Sequence, residues 1–258
     1  MENRTYIYNF EELRLIDAIE TCPNSRGLVA LNPDPENTVL ASPDVQKGYV
    51  RLNVYEKNKS FKVPAHQAAL SAICLNFAGT LLATASEKGT LIRIFSTETG
   101  QPLQELRRGK EKADVYSICF DKKSQRLACT SDRNTIHIFT VKLDVANNLK
   151  LSDEEEKIAG DGGVIAPDTN NQEEGNDQPQ NKKSRFNLFK GFLPKYFDSE
   201  WSYAKFKMPS NDNSQRQTCA FNQEGTHLIV ISSEGNYYLA EIQKNGGNCL
   251  IQETRKLM

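Results

Sequence analysis

Two adjacent arginines, Arg107 and Arg108, close the strand-like run LQELRRG at residues 103–109, and the next such run begins at Asp114. A guanidinium is a planar fork of donors that suits phosphate oxygens, so an arginine pair raises the question of an anionic ligand. Side chains alternate across an extended strand. Arg107 and Arg108 should therefore point to opposite sides and could serve two separate sites. Taken alone the pair also fits a plainer use, since cations commonly protect exposed edge strands.

Other chemistries lack their residues. There is no GxSxG, no P-loop, no HExxH and no pair of carboxylates set against a histidine, and Glu154, Glu155 and Glu156 form a solvated charge run. No catalytic residue and no cofactor is expected, and the chain is read as a non-enzyme. The six cysteines, Cys22, Cys74, Cys119, Cys129, Cys219 and Cys249, show neither a CxxC pair nor a histidine at zinc-ligand spacing. No metal site is expected, and several of these thiols sit in apolar runs where cysteine acts as a small hydrophobe. The first residues, MENRTYIYNF, lack the basic stretch and apolar run of a secretory signal, and no window reaches the length of a membrane span. A cytoplasmic chain is expected.

The formal net charge of −1 conceals an asymmetry. Between Ser152 and Asn181 stand nine acidic residues and one lysine, a local charge of −8 that leaves +7 on the remainder. A basic remainder favours phosphates, lipid head groups or nucleic acid as partners. Directly after the acidic stretch comes KKSRFNLFKGFLPKYF, residues 182–197, with five cations, no acid and seven bulky apolar residues. Phe186, Leu188, Phe189 and Phe192 among cations have the composition of a segment that enters a membrane interface. Gly191 and Pro194 argue against a long helix there. Two other readings stay open: Phe192 to Trp201 could pack back onto the fold, or the aromatics could stack on RNA bases, although no RNA-binding signature accompanies them.

A sequence repeat supplies the scaffold. LSAICLNFAGTLLATASEKGTLIRIF (70–95) aligns with VYSICFDKKSQRLACTSDRNTIHIF (115–139), matching Ile73-Cys74 to Ile118-Cys119 and Ser86 to Ser131 at an offset of 45. A third copy, TCAFNQEGTHLIVISSEGNYYLAEI (218–242), stands 101 residues beyond the second, and a fourth lies upstream. Short β-branched and aromatic runs at this period are the signature of propeller blades. The expected fold is all-β, a β-propeller of WD40-like four-stranded blades, with about four and a half of an expected seven. The expected boundaries are a half blade at 1–22 and blades at 23–65, 66–109, 110–209 and 210–258. The third blade carries an insertion at 144–198, with SYAKFKMP returning as its fourth strand. An open arc should expose inner blade faces and lose stability.

With LATASEKGTLIRIF before Leu106-Arg107-Arg108-Gly109, CTSDRNTIHIF after it and a long loop ending in SEWSYAKF, the sequence resembles the PROPPIN family. These are phosphoinositide-binding propellers of autophagy whose hallmark is F/L-R-R-G, and the leucine places this chain nearer the LRRG branch. The resemblance implies a peripheral membrane protein that binds phosphatidylinositol 3-phosphate and the 3,5-bisphosphate and acts in autophagosome formation. One head-group site would use His66, Ser86, Thr90 and Arg107. The second would use Arg108, Ser131, Thr135 and His137, with Thr84 and Thr130 assisting. Phe186, Leu188, Phe189 and Phe192 would enter the membrane. The same resemblance implies recruitment to phagophore, endosomal or vacuolar membranes and no nucleic-acid partner. The first two and a half blades of the family's seven would be missing, and with them surfaces for lipid-transfer or conjugation proteins. Gly109 is expected to let the backbone turn, and a histidine beside phosphate to shift toward its charged form. A WD-repeat interaction scaffold without lipid binding is the alternative.

Overall fold

The computed structural model describes residues 2–142, 180–181, 199–209 and 216–257. Every regular element among them is a strand. β1 (Arg4–Tyr8) and β2 (Leu15–Glu20) form a two-stranded half blade. Blade A follows with β3 (Ala30–Leu31), β4 (Val39–Pro43), β5 (Tyr49–Val54) and β6 (Lys59–Pro64) in antiparallel order. Blade B holds β7 (Leu70–Leu75), β8 (Leu81–Ser86), β9 (Leu91–Ser96) and β10 (Pro102–Arg107). Blade C begins with β11 (Val115–Phe120), β12 (Arg126–Ser131) and β13 (Thr135–Thr140). The chain then returns through β14 (Glu200–Trp201) to β15 (Ala204–Lys207), which closes blade C against β13 with Ile136 opposite Phe206. Blade D comprises β16 (Gln217–Phe221), β17 (His227–Ser232), β18 (Asn236–Glu241) and, after the short β19 (Gly247–Asn248), β20 (Leu250–Lys256).

Four-stranded blades alone do not describe the sheets. β14 runs parallel to β10, placing Glu200 beside Leu106 and Trp201 beside Arg107. β19 likewise adds to β15, with Ala204 opposite Gly247. Each is a two-residue parallel pair that occupies the outer edge of a blade, where unpaired backbone groups would otherwise face solvent.

The core lies in the seams between blades. Val39, Val50, Leu52 and Val63 of blade A meet Leu82 and Phe95 of blade B. Leu81, Ala83, Ile92 and Leu106 on the other face of blade B meet Val115, Leu127 and Phe139 of blade C. Ile136, Ile138 and Phe206 then meet Leu228, Val230 and Tyr238 of blade D. Both faces of blades B and C are therefore covered, which is why all six residues of β8, LLATAS, are buried, Thr84 and Ser86 included. Burying a side chain such as Leu81 or Ile92 in this way stabilises by roughly 1.5–3 kcal/mol. The ends of the arc differ. Tyr8 (57 % exposed), Leu15 (47 %) and Ile16 (56 %) of the half blade and Leu250 (53 %) of β20 lie open.

The first hairpin of every full blade is closed by a side chain. Asn76 Oδ1 accepts the Leu81 amide at 2.8 Å, Asp121 Oδ1 that of Arg126 at 2.9 Å, and Asn222 Oδ1 that of His227 at 2.9 Å. Asn32 does the same for Val39 over a longer loop. Each backbone N–H of these residues donates to the same partner's carbonyl. These asparagine and aspartate turns fix the register of β7–β8, β11–β12 and β16–β17.

Candidate functional site

Strand parity decides where the arginines go. Leu91 stands opposite Arg107, and Arg93 stands opposite both Thr84 and Glu105. Arg107 therefore shares one face of blade B with Thr84, Ser86 and Arg93, the face that carries Leu82 and Phe95 into the A–B seam. Within that seam His66 Nε2 shares a 3.0 Å hydrogen bond with Thr84 Oγ1. Arg93 donates Nη1 to the Ala65 carbonyl at 2.7 Å and Nε to Glu105 at 2.9 Å. Arg107 is buried and donates Nε to Ser199 Oγ at 2.7 Å, so the residue just before β14 helps set its side chain.

Arg108 leaves the strand on the other side. Its Nε donates to the Gly89 carbonyl at 2.6 Å and its Nη2 to the Glu111 carbonyl, while its backbone amide donates to Thr90 at 2.9 Å. Blade C presents a matching face: Cys129 pairs with His137, His137 with Lys205, and Thr135 with Lys207. Cys129 packs in the B–C seam, so Ser131, Thr135, His137, Lys205 and Lys207 share that face. The positive field of Arg108 reaches His137.

Of the residues expected for the first site, His66 and Ser86 are buried and Thr90 is half-buried in the β8–β9 turn, where its carbonyl accepts from Arg108. The cation acting on His66 is Arg93. Of the second, Ser131 is buried and accepts the Arg133 amide at 3.3 Å, and Thr135 is half-buried. Thr130 faces away: its hydroxyl donates to the Gln217 carbonyl of blade D at 2.8 Å. Phe186, Leu188, Phe189 and Phe192 lie outside the described residues. The sequence reading passed over Arg93, Ser199, Lys205 and Lys207. The lysines had a readable signal in the alternation of AKFK, because a period of two puts both on one face.

The histidine expectation concerns the phosphate-bound state, and the Gly109 expectation needs correction. Both histidines are held neutral in the absence of an anion: burial, then Arg93, pushes His66 down to about 4, and burial, then Lys205 and Arg108, pushes His137 down to about 3. An anion must outweigh that desolvation and those cations before either ring takes up a proton. Gly109, for its part, has no positive φ, and a Cβ built on it meets nothing within 4 Å. The strained turn belongs to Gly89, with φ +59° and a built Cβ only 1.8 Å from the Ala113 carbonyl oxygen. Burial also draws Arg108 below the usual arginine range, with Arg133 adding to the effect.

The sequence model of the PROPPIN family matches residues 1–166. The chain belongs to the PROPPIN family. Among curated relatives, Autophagy-related protein 18e of Arabidopsis thaliana is 28 % identical over 257 residues, covering 99 % of this chain and 59 % of that protein. Autophagy-related protein 18 of Schizosaccharomyces pombe is 29 % identical over 275 residues, with 96 % and 70 % covered. The chain thus spans about three fifths of the Arabidopsis relative's length. Among solved structures, Kluyveromyces lactis Hsv2 superposes with a TM-score of 0.68 at 18 % identity, covering 99 % of this chain and 69 % of that one. A complex described as KlAtg21 with the coiled-coil of AgAtg16 gives 0.65 at 20 % identity. These likenesses identify the fold as part of a β-propeller.

Proposed function

We propose that this PROPPIN chain binds phosphoinositides at a membrane surface through two head-group sites, one for each arginine. The divergence of Arg107 into the A–B seam and Arg108 into the B–C seam carries the reading. Each seam also offers what a phosphate monoester needs: serine and threonine hydroxyls, a histidine, and a second cation, Arg93 in one and Lys205 in the other. Phosphatidylinositol 3-phosphate and the 3,5-bisphosphate are the lipids proposed, on the strength of the family resemblance. Residues 182–197, with Phe186, Leu188, Phe189 and Phe192, are proposed as the third point of attachment. Modest sites on one surface then combine through effective concentration.

The names of its relatives support a role in autophagy; a part in autophagosome formation and recruitment from the cytoplasm to phagophore, endosomal or vacuolar membranes are proposed on the family resemblance. Autophagy proteins are the proposed protein partners. The test is vesicle sedimentation with phosphatidylinositol 3-phosphate. A charge-assisted arginine contact contributes about 1.5–3 kcal/mol, so Arg107→Thr and Arg108→Thr should each weaken binding by roughly 10- to 100-fold. The double variant should leave almost none. A double variant that sediments like the parent chain would leave an interaction scaffold as the better reading.

A further inference from the structure

A buried polar network joins the middle of the insertion to the base of β14, and it ends on Arg107. Asn181 is 8 % exposed although it lies in a run of polar residues. Its side-chain amide imitates a neighbouring strand: Oδ1 accepts the Thr140 backbone N–H at 2.6 Å, and Nδ2 donates to the Thr140 carbonyl at 2.6 Å. Nδ2 also donates to Glu200 Oε2 at 3.0 Å, the oxygen that accepts Gln104 Nε2 at 3.0 Å. Gln104 Nε2 further reaches the Thr140 carbonyl at 3.2 Å, and its Oε1 accepts the Lys142 amide at 3.1 Å. The other carboxylate oxygen of Glu200 pairs with Lys142 Nζ.

Glu200 is thus pinned from three directions, and its chain neighbours hold the arginine. Ser199 accepts Arg107 Nε, and Trp201 lies beside Arg107 in the parallel pair with β10. Two residues of parallel pairing are a weak hold on a returning chain, because a ladder so short gains few hydrogen bonds to offset the entropy lost in ordering the chain. The side-chain network supplies what the ladder lacks. We infer that Asn181, with Gln104 and Glu200, is a positioning device that keeps Ser199 against Arg107 and so presents the guanidinium to the A–B seam. The inference rests on the proposal that Arg107 binds a phosphate.

A double-mutant cycle in the full chain separates positioning from general damage. The probe is soluble inositol 1,3-bisphosphate, followed by calorimetric titration. In an Arg108→Thr background, which leaves the A–B seam as the reporter, Asn181→Ala should lower affinity about 3- to 10-fold, the effect of loosening one charged hydrogen bond. In an Arg107→Thr background the same change should leave the remaining affinity unaltered. Glu200→Gln, which keeps an acceptor for Asn181 and Gln104, should retain most of the affinity that Glu200→Ala loses. Amide hydrogen exchange gives a readout without ligand: Asn181→Ala should speed exchange at residues 199–201 and leave β16–β18 unchanged. If Arg107→Thr binds the probe as the parent does, the phosphate reading fails and exchange alone decides the positioning. Equal affinity loss in both backgrounds, or unchanged exchange at 199–201, overturns the inference.

Discussion

Replacing Gly89 by alanine tests how the B–C seam is built. Gly89 sits at φ +59°, donates its amide to the Ser86 carbonyl at 2.7 Å and offers its own carbonyl to Arg108. An alanine there pays the left-handed penalty of roughly 1–2 kcal/mol. Its Cβ would also stand 1.8 Å from the Ala113 oxygen, and Ala113 is itself buried. Restoring ordinary contact requires the 86–90 turn and the approach to β11 to part by about 1.5 Å, and forced overpacking of this kind costs about 1–3 kcal/mol. The expected loss is therefore roughly 2–5 kcal/mol, read as a lower urea midpoint at unchanged slope. Because the moved carbonyl holds Arg108 Nε, affinity for inositol 1,3-bisphosphate should fall in an Arg107→Thr background. Gly109→Ala is the matched comparison: with open space and no positive φ, its midpoint should stay near that of the parent. A Gly89→Ala midpoint as high as that of Gly109→Ala would refute the account.

Acid should weaken the fold through its two seam histidines. Their folded values are depressed to about 4 and about 3, so between those values and the unfolded value near 6.5 the unfolded chain binds protons that the folded chain does not. Their contribution is complete above about pH 6.5 and is lost on acidification, at up to about 1.4 kcal/mol per pH unit for each ring. Urea midpoints at pH 7.5 and 4.5 check this, and His66→Asn with His137→Asn should flatten the difference. Asp44 makes the other prediction. Its carboxylate has no exposed surface and binds Arg51 at 2.9 Å, Lys62 at 2.9 Å and the Gln46 amide at 3.1 Å. Burial alone would raise its pKa, but Lys62, the Gln46 amide and Arg51 outweigh burial and lower it. Asp44→Ala should cost about 2–3 kcal/mol, seen as a lower melting temperature, since it removes charge-assisted bonds that tie β4 to β5 and β6.

The propeller architecture was legible because it repeats: Ile73-Cys74 and Ile118-Cys119 recur at the spacing of a blade, and the period needs no tertiary knowledge. So were the opposite faces of Arg107 and Arg108, which follow from strand alternation. The closing residues Asn76, Asp121 and Asn222 stand at equivalent places in the aligned copies, a signal that the sequence carries alongside its apolar matches. Gly109 adjoins the arginines in sequence but has no positive φ, whereas Gly89, in the turn that Arg108 holds, has the φ and the close Ala113 carbonyl that exclude a side chain. β14 and β19 could not be read, because two-residue parallel pairs have no local pattern and form only where another blade supplies an edge. Asn181 was hidden for the same reason. Its neighbours are polar residues of low complexity, and only the folded chain brings Thr140 and Glu200 to it. Histidine neutrality also depends on burial that no single strand reveals.

The asparagine and aspartate turns at Asn76, Asp121 and Asn222 give blades B, C and D each a starting point of its own. A hairpin clasped within five residues forms before any distant segment has to be found, so assembly can commence at several places along the chain and proceed by docking neighbours. A molecule put together in this way can gain or shed whole units over evolutionary time while the survivors keep their internal order.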